Sequence, residues 1–295
     1  MLRQRVITSL ILAPLIIIGV LKLPPLYFAV AWGIIILYAA WEWSDLAAVE
    51  RKSRRALFVL GLAVLQLLLG SWSYLLHIMA DLVESQDVLE FAGALDWLLI
   101  PALMWWLFIS VKLRGAAAER LLQVRFSQRF MLSIGAFTLI IAWLFFYRLQ
   151  HLYGADWALF FLVLIWVADI AAYFAGRKWG KTKLSPHISP GKTQEGMYAA
   201  LLAAVALTVG VFAYRQFQWG IIADFAMLSV ITVLFSVSGD LFESLAKRLR
   251  GVKDSGTLIA GHGGLLDRID SLIAAIPVFY AGVLMIGIMR GIFAV

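Results

Sequence analysis

The sequence contains no cysteine, only four histidines, and 15% charged residues over 295 positions. The missing cysteines exclude disulfides and thiolate metal sites. The scarcity of charge excludes an ordinary soluble domain, whose surface needs a larger polar share. There is no internal repeat, no low-complexity linker, and no G-x-x-x-x-G-K-[ST] phosphate loop. No Ser–His–Asp or Cys–His arrangement is present for nucleophilic catalysis, and no nucleic-acid partner is expected. What fills the chain is apolar: 63% hydrophobic residues and a mean hydropathy of +0.90.

A bilayer crossing takes roughly 20 apolar residues. Nine segments qualify, at about 6–21, 26–43, 57–77, 97–111, 131–148, 157–175, 197–214, 221–238 and 271–289. The expected fold is therefore all-α, a polytopic membrane protein of about nine transmembrane helices. The first segment lacks a small-x-small cleavage site, and Pro24-Pro25 predicts a tight hairpin into the second. Lys and Arg gather in alternate connections: the N-terminus and the segments after spans two, four, six and eight hold 21 of the 25. The connection with Asp81, Glu84, Asp87, Glu90 and Asp96 has no cation. The positive-inside rule then puts the N-terminus in the cytoplasm. Residues 113–130 predict an amphipathic helix on the inner leaflet. Trp41, Trp43, Trp97, Trp157 and Trp219 read as interfacial belt residues. Glu42 and Asp45, at the end of span two, receive no chemical role. The chain divides at about residue 150 into an N-terminal transmembrane region, 1–150, and a catalytic region, 151–295, with cytoplasmic loops 176–196 and 239–270.

Those two loops hold the polar residues with specific spacing. In the first, Asp169 sits about two turns inside span six, where a carboxylate costs on the order of 3 kcal/mol and calls for a wet or protein-lined cavity. Tyr173 shares its helix face. Arg177, Lys178, Lys181, Lys183 and Lys192 follow, with Ser189-Pro190-Gly191-Lys192-Thr193 leading into span seven. Glycine, lysine and hydroxyl groups there suit phosphate oxygens, although a plain orientation signal is an equal reading.

In the second loop, Asp240, Ser244 and Lys247 share a face if the helix continues past Gly239. Arg248, Lys253 and Asp254 follow. His262-Gly263-Gly264 then opens a helix that presents Asp267 and Asp270 one turn apart. Convergent carboxylates without cysteine describe a hard-cation site of the Mg²⁺ kind. The N–H groups at that helix start suit phosphate.

The runs S244-LAKR, K253-DSG and H262-GG-LLDRID, with D169-IAAYFAGRKWGKTKLSPHISPGKTQEG before them, resemble the signature of the phosphatidate cytidylyltransferases (CDP-diacylglycerol synthases). The pattern departs at Ala246, Ala260 and Ala199-Ala200, none of which removes a charge. The resemblance implies the reaction of CTP with phosphatidate to give CDP-diacylglycerol and pyrophosphate, at the cytoplasmic face of a bacterial inner membrane. It implies Mg²⁺, with a second cation and a homodimer left open. Asp240, Asp267 and Asp270 are then the expected metal ligands, and with Lys253 the catalytic set. Lys192, Lys247, Arg248 and Arg268 would hold phosphate oxygens, with Ser189, Thr193, Ser244, Asp254, Gly263 and Gly264 nearby. His262 would orient a phosphate, and Asp169, Tyr173 and Arg177 would line the substrate cavity. The rivals are a CTP-dependent transferase for another lipid phosphate and an anion transporter built around Asp169. A CDP-alcohol phosphatidyltransferase fails, because Asp270 is followed by Ser271-Leu272 and not by the D-G-x-x-A-R run.

Overall fold

The computed structural model describes residues 2–84, 86–113, 115–258 and 263–292. Eleven α-helices follow in order: α1 Leu2–Lys22, α2 Pro25–Leu46, α3 Lys52–Gly70, α4 Trp72–Val83, α5 Leu99–Lys112, α6 Gly115–Gln123, α7 Gln128–Arg148, α8 Ala155–Trp179, α9 Gln194–Tyr214, α10 Trp219–Arg250 and α11 Leu266–Arg290. A 3-10 segment, Gln86–Leu98, precedes α5. Between α8 and α9 lies one antiparallel hairpin, β1 Lys183–Ser185 and β2 Ser189–Thr193, in register Lys183↔Thr193 and Ser185↔Ser189. The chain is thus a polytopic α-helical membrane protein with one small hairpin. Among the described residues, eight helical stretches are long and apolar enough to cross a bilayer; the ninth expected span falls on α1, whose described apolar run is Leu10–Lys22.

Local sequence sets the helix ends. Pro25 stands at the first position of α2, where its missing N–H costs nothing. Ser127 caps α7 by accepting from the Phe130 N–H, and Thr193 caps α9 by accepting from the Gly196 N–H. Gly251, at φ 75°, ends α10. At 32 residues, α10 is about 48 Å long at 1.5 Å per residue, well beyond a hydrocarbon core of roughly 30 Å. α10 is therefore longer than a bilayer crossing needs. The expected loop 239–270 shrinks to 251–265, because α10 supplies its beginning and α11 its end. The predicted amphipathic helix over 113–130 is likewise shorter, confined to α6.

Burial ranks the helices. In α11, 67% of the apolar window is buried within the protein, against 11% in α3. Leu57, Leu60 and Leu67 of α3 lie exposed, as a lipid-facing surface requires. Around α11 pack α10, α7, α5, α8 and α2. Trp43 is no belt residue: it is buried, donates to the Met131 carbonyl at 2.7 Å, and stacks on Phe242. About 20 Å along α11 from Asp267, Tyr280 is fully buried and donates to Asp96 at 2.9 Å. Arg148 at the end of α7 donates to both, to Tyr280 at 3.2 Å and Asp96 at 2.9 Å. This triad ties α11 to α7 and to the 3-10 segment at the end of the bundle away from the motif residues.

Removing the guanidinium would leave Asp96 facing Tyr280 without a counter-charge. Arg148→Met is expected to lower stability by up to about 3 kcal/mol. Thermal unfolding in detergent checks it, and an unchanged melting temperature would refute the clamp.

Candidate active site

α10 and α11 meet closely because residue 239 has no side chain. A Cβ on Gly239 would stand 2.4 Å from the Asp270 carbonyl oxygen and 2.9 Å from the Ala274 Cβ. The close approach sets the face of α10 that carries Asp240, Glu243 and Lys247 against the first turns of α11. Lys247 bridges the two helices, with its Nζ 2.6 Å from Asp267 Oδ1 and 3.1 Å from Glu243 Oε2. Glu243 is buried, and its Oε1 has no hydrogen-bond partner among the described residues. Asp270 lies against Glu243, Asp240, Lys192 and Lys247, while one of its own oxygens accepts from the Ser271 N–H at 2.7 Å.

The hairpin joins from the side. Lys192 of β2 reaches Asp240 of α10, Nζ to Oδ2, at 2.7 Å. Ser244 donates to the other oxygen of Asp240 at 3.3 Å. Asp169 of α8 faces Lys192, Asp240 and Arg268. The hairpin is held by Arg248, which donates to the Ile188 carbonyl at 3.2 Å, and by the packing of Thr193. Gly176, Gly180 and Gly196 all border Thr193, and a Cβ on Gly180 would come within 2.7 Å of its methyl. α8, the hairpin, α10 and α11 thus bring Asp169, Lys192, Asp240, Ser244, Lys247, Asp267 and Asp270 to one place.

Other expected residues have different surroundings. Tyr173 is exposed, and its hydroxyl accepts from the equally exposed Arg177 at 3.1 Å. Thr193 is buried and caps α9, and Arg248 braces the hairpin. Ser189 begins β2, and Lys253, Asp254 and Arg268 are exposed. His262 lies outside the described residues. Asp267 differs most from a free metal ligand. One oxygen is taken by Lys247, and the other accepts from the Ser255 N–H at 3.0 Å and the Gly264 N–H at 2.8 Å. Among the described residues, no three acidic or histidine side chains stand close enough to share one ion.

The N–H groups expected to cradle phosphate at the start of α11 are also engaged. Leu265 at 3.1 Å and Leu266 at 2.7 Å donate to the carboxylate of Glu42, and Ser255 Oγ donates to it at 3.1 Å. Glu42 comes from α2, in the region where no chemistry was expected, and is 4% exposed. Gly263, at φ 81°, has its absent Cβ 2.8 Å from Asp267 Oδ2. Two residues were therefore missed. Glu243 had a signal, since it falls three residues after Asp240 and four before Lys247 on one face. Glu42 offered only a carboxylate at the end of an apolar span.

The arrangement has six carboxylates, those of Glu42, Asp169, Asp240, Glu243, Asp267 and Asp270, with Lys192 and Lys247 among them and the exposed Arg268 facing Asp169. Such a site suits an anionic substrate met with cations.

The profile of the Cytidylyltransferase family matches residues 3–286. The chain is 36% identical to a phosphatidate cytidylyltransferase of Haemophilus influenzae, over 95% of this chain and 97% of the relative. It is 37% identical to the Pseudomonas aeruginosa protein of that name, over 95% and 96%. The corresponding Thermotoga maritima protein is 32% identical, over 95% of each chain.

Crowding at Gly239 is directly testable. Gly239→Ala should force α10 off α11 at a cost of about 1–3 kcal/mol, seen as a lower melting temperature. A variant that melts like the parent would show that the two helices need no such contact.

Proposed function

The chain belongs to the cytidylyltransferase family, and we propose that it transfers a cytidylyl group from CTP to phosphatidate at the cytoplasmic face of the membrane. A phosphate oxygen of the lipid attacks the α-phosphorus of CTP. The new P–O bond forms as the bond to the β-phosphate bridging oxygen breaks, and its electron pair leaves with pyrophosphate. Nucleophile and acceptor are both anions, so neutralisation and alignment dominate the barrier. No protein nucleophile is required.

The observation that carries this reading is the 2.7 Å contact of Lys192 with Asp240. It joins the two polar stretches that lie far apart in sequence. Lys192 and Lys247 are placed to hold triphosphate or lipid phosphate oxygens, with Lys253 and Arg268 at the entrance. Asp169 faces Lys192 and Arg268 and limits where those cations can settle.

The donor chemistry is that of a hard cation such as Mg²⁺: every candidate ligand is a carboxylate oxygen. Asp240 and Asp270, which face each other, would share the ion with waters and substrate phosphate oxygens, since no three acidic side chains among the described residues stand close enough to hold it alone. Asp267, with both oxygens engaged, would instead orient Lys247 and the Ser255 and Gly264 N–H groups. Bound there, Mg²⁺ would neutralise phosphate charge and fix the phosphate oxygens. Lys192 would then exchange its contact with Asp240 for one with substrate.

Purified protein given labelled CTP, phosphatidate and Mg²⁺ should form lipid-linked cytidine, and chelation with EDTA should stop it until Mg²⁺ is restored. Asp240→Asn and Lys192→Met should each lower kcat by about 10²-fold or more with little change in melting temperature. Product only with a different lipid phosphate would replace the acceptor, and near-parental kcat in either variant would refute the assigned roles.

A further inference from the structure

We infer that Glu42 is a positioning residue for the transfer reaction, acting through the segment that precedes α11. The inference rests on the function proposed above and adds to it a residue from the N-terminal half of the chain.

α11 begins at Leu266 after Leu265, which has no side-chain cap to offer. The first N–H groups of a helix need acceptors, and here the acceptor arrives from α2. Both oxygens of Glu42 are used: Oε1 takes the Leu265 N–H, and Oε2 takes the Leu266 N–H and the Ser255 hydroxyl. A negative carboxylate at this position also meets the positive end of the helix. Asp267 does the matching task from the other side, accepting from the Ser255 and Gly264 N–H groups. Two carboxylates therefore pinch Ser255-Gly256 against Gly264-Leu265. That pinch fixes the start of α11, and with it the Asp267 that holds Lys247.

The glycines of this segment fit the pinch. A Cβ on Gly256 would stand 2.2 Å from Glu42 Oε1, and its three nearest neighbours would all be Glu42 atoms. A Cβ on Gly264 would stand 2.7 Å from Glu42 Oε2 and 2.1 Å from Ser255 Oγ. Gly256 has no positive φ, so alanine is excluded there by Glu42 and not by backbone strain. Glu42 itself is held in a rigid setting. The neighbouring Trp43 is anchored on Met131, and the Arg55 guanidinium pairs with Asp45. Arg250 at the end of α10 donates to the Asp45 carbonyl at 3.1 Å. The end of α2 is thereby tied to α7, α3 and α10 together.

The test combines kinetics with amide exchange in detergent-solubilised full-length protein. Glu42→Gln puts an N–H₂ donor where an acceptor is needed. It should lower kcat at saturating CTP and phosphatidate by tenfold or more, since a displacement of about 1 Å can cost roughly 10²-fold. Exchange at the Leu265 and Leu266 amides should accelerate, while the KM for phosphatidate stays near the parent value. Gly256→Ala should lose kcat similarly. A role in bulk stability alone would lower the melting temperature and leave kcat per folded molecule intact; that result overturns the inference. Parental exchange at Leu265 and Leu266 in Glu42→Gln also overturns it. Wild-type protein that makes no lipid-linked cytidine overturns both the reaction and the part given to Glu42, whereas an active wild type with an unimpaired Glu42→Gln overturns the inference alone.

Discussion

Carboxylates at the end of a membrane bundle must find partners, because burial without them costs several kcal/mol each. The motif end of this protein is organised by that constraint. Asp240 is held by Lys192 and Ser244, Asp267 by Lys247 and two backbone N–H groups, and Glu42 by the start of α11 and a serine. These contacts connect α2, the hairpin, α10 and α11, so the same bonds that neutralise the acids also assemble the site. Glu243 is held on one oxygen by Lys247, and its carboxyl lies against that of Asp270.

The lysines have a double duty in consequence. In the absence of substrate each occupies a place on a carboxylate that a metal or a phosphate-bearing ligand would contest. An ammonium on a flexible stem is suited to such an exchange, since it is a point charge without a fixed bonding plane. Arg248 shows the contrast. Its guanidinium is committed to the Ile188 carbonyl, where it holds the hairpin that carries Lys192. Adjacent Lys247 and Arg248 thus have different partners, the lysine two carboxylates and the arginine the hairpin that carries Lys192.

Much of the bundle was legible because lipid imposes a simple rule: long apolar runs become helices, and their ends follow from proline, glycine and charge. The spacing of Asp240, Ser244 and Lys247 is compatible with the extension of α10 past Gly239 but did not require it, and a loop was expected over 239–270 where α10 runs on to Arg250. The hairpin was not legible, since Lys183–Ser185 and Ser189–Thr193 are too short to show alternation and depend on Arg248 and Thr193 for their place. Trp43 looked like an interfacial residue by position, yet the carbonyl it needs belongs to Met131, 88 residues away. Glu42 was illegible for the same reason: its partners lie more than 200 positions along the chain, and no local period encodes such a contact.

The use of α11's first N–H groups has a consequence for how phosphate can be held. A free helix start beside a glycine pair would offer donors and a positive dipole to a polyphosphate. Here Glu42 and Asp267 take those donors, which places negative charge where an incoming anion would otherwise settle. The cations nearby are side chains: Lys192 on the hairpin, Lys247 between α10 and α11, and Arg268 on the exposed face of α11. The glycines of the segment then serve close packing around two acids. The cations and the start of α11 are therefore held by different parts of the chain: Lys192 by a hairpin braced from α10, and the first turn of α11 by a carboxylate from α2 in the other half of the chain.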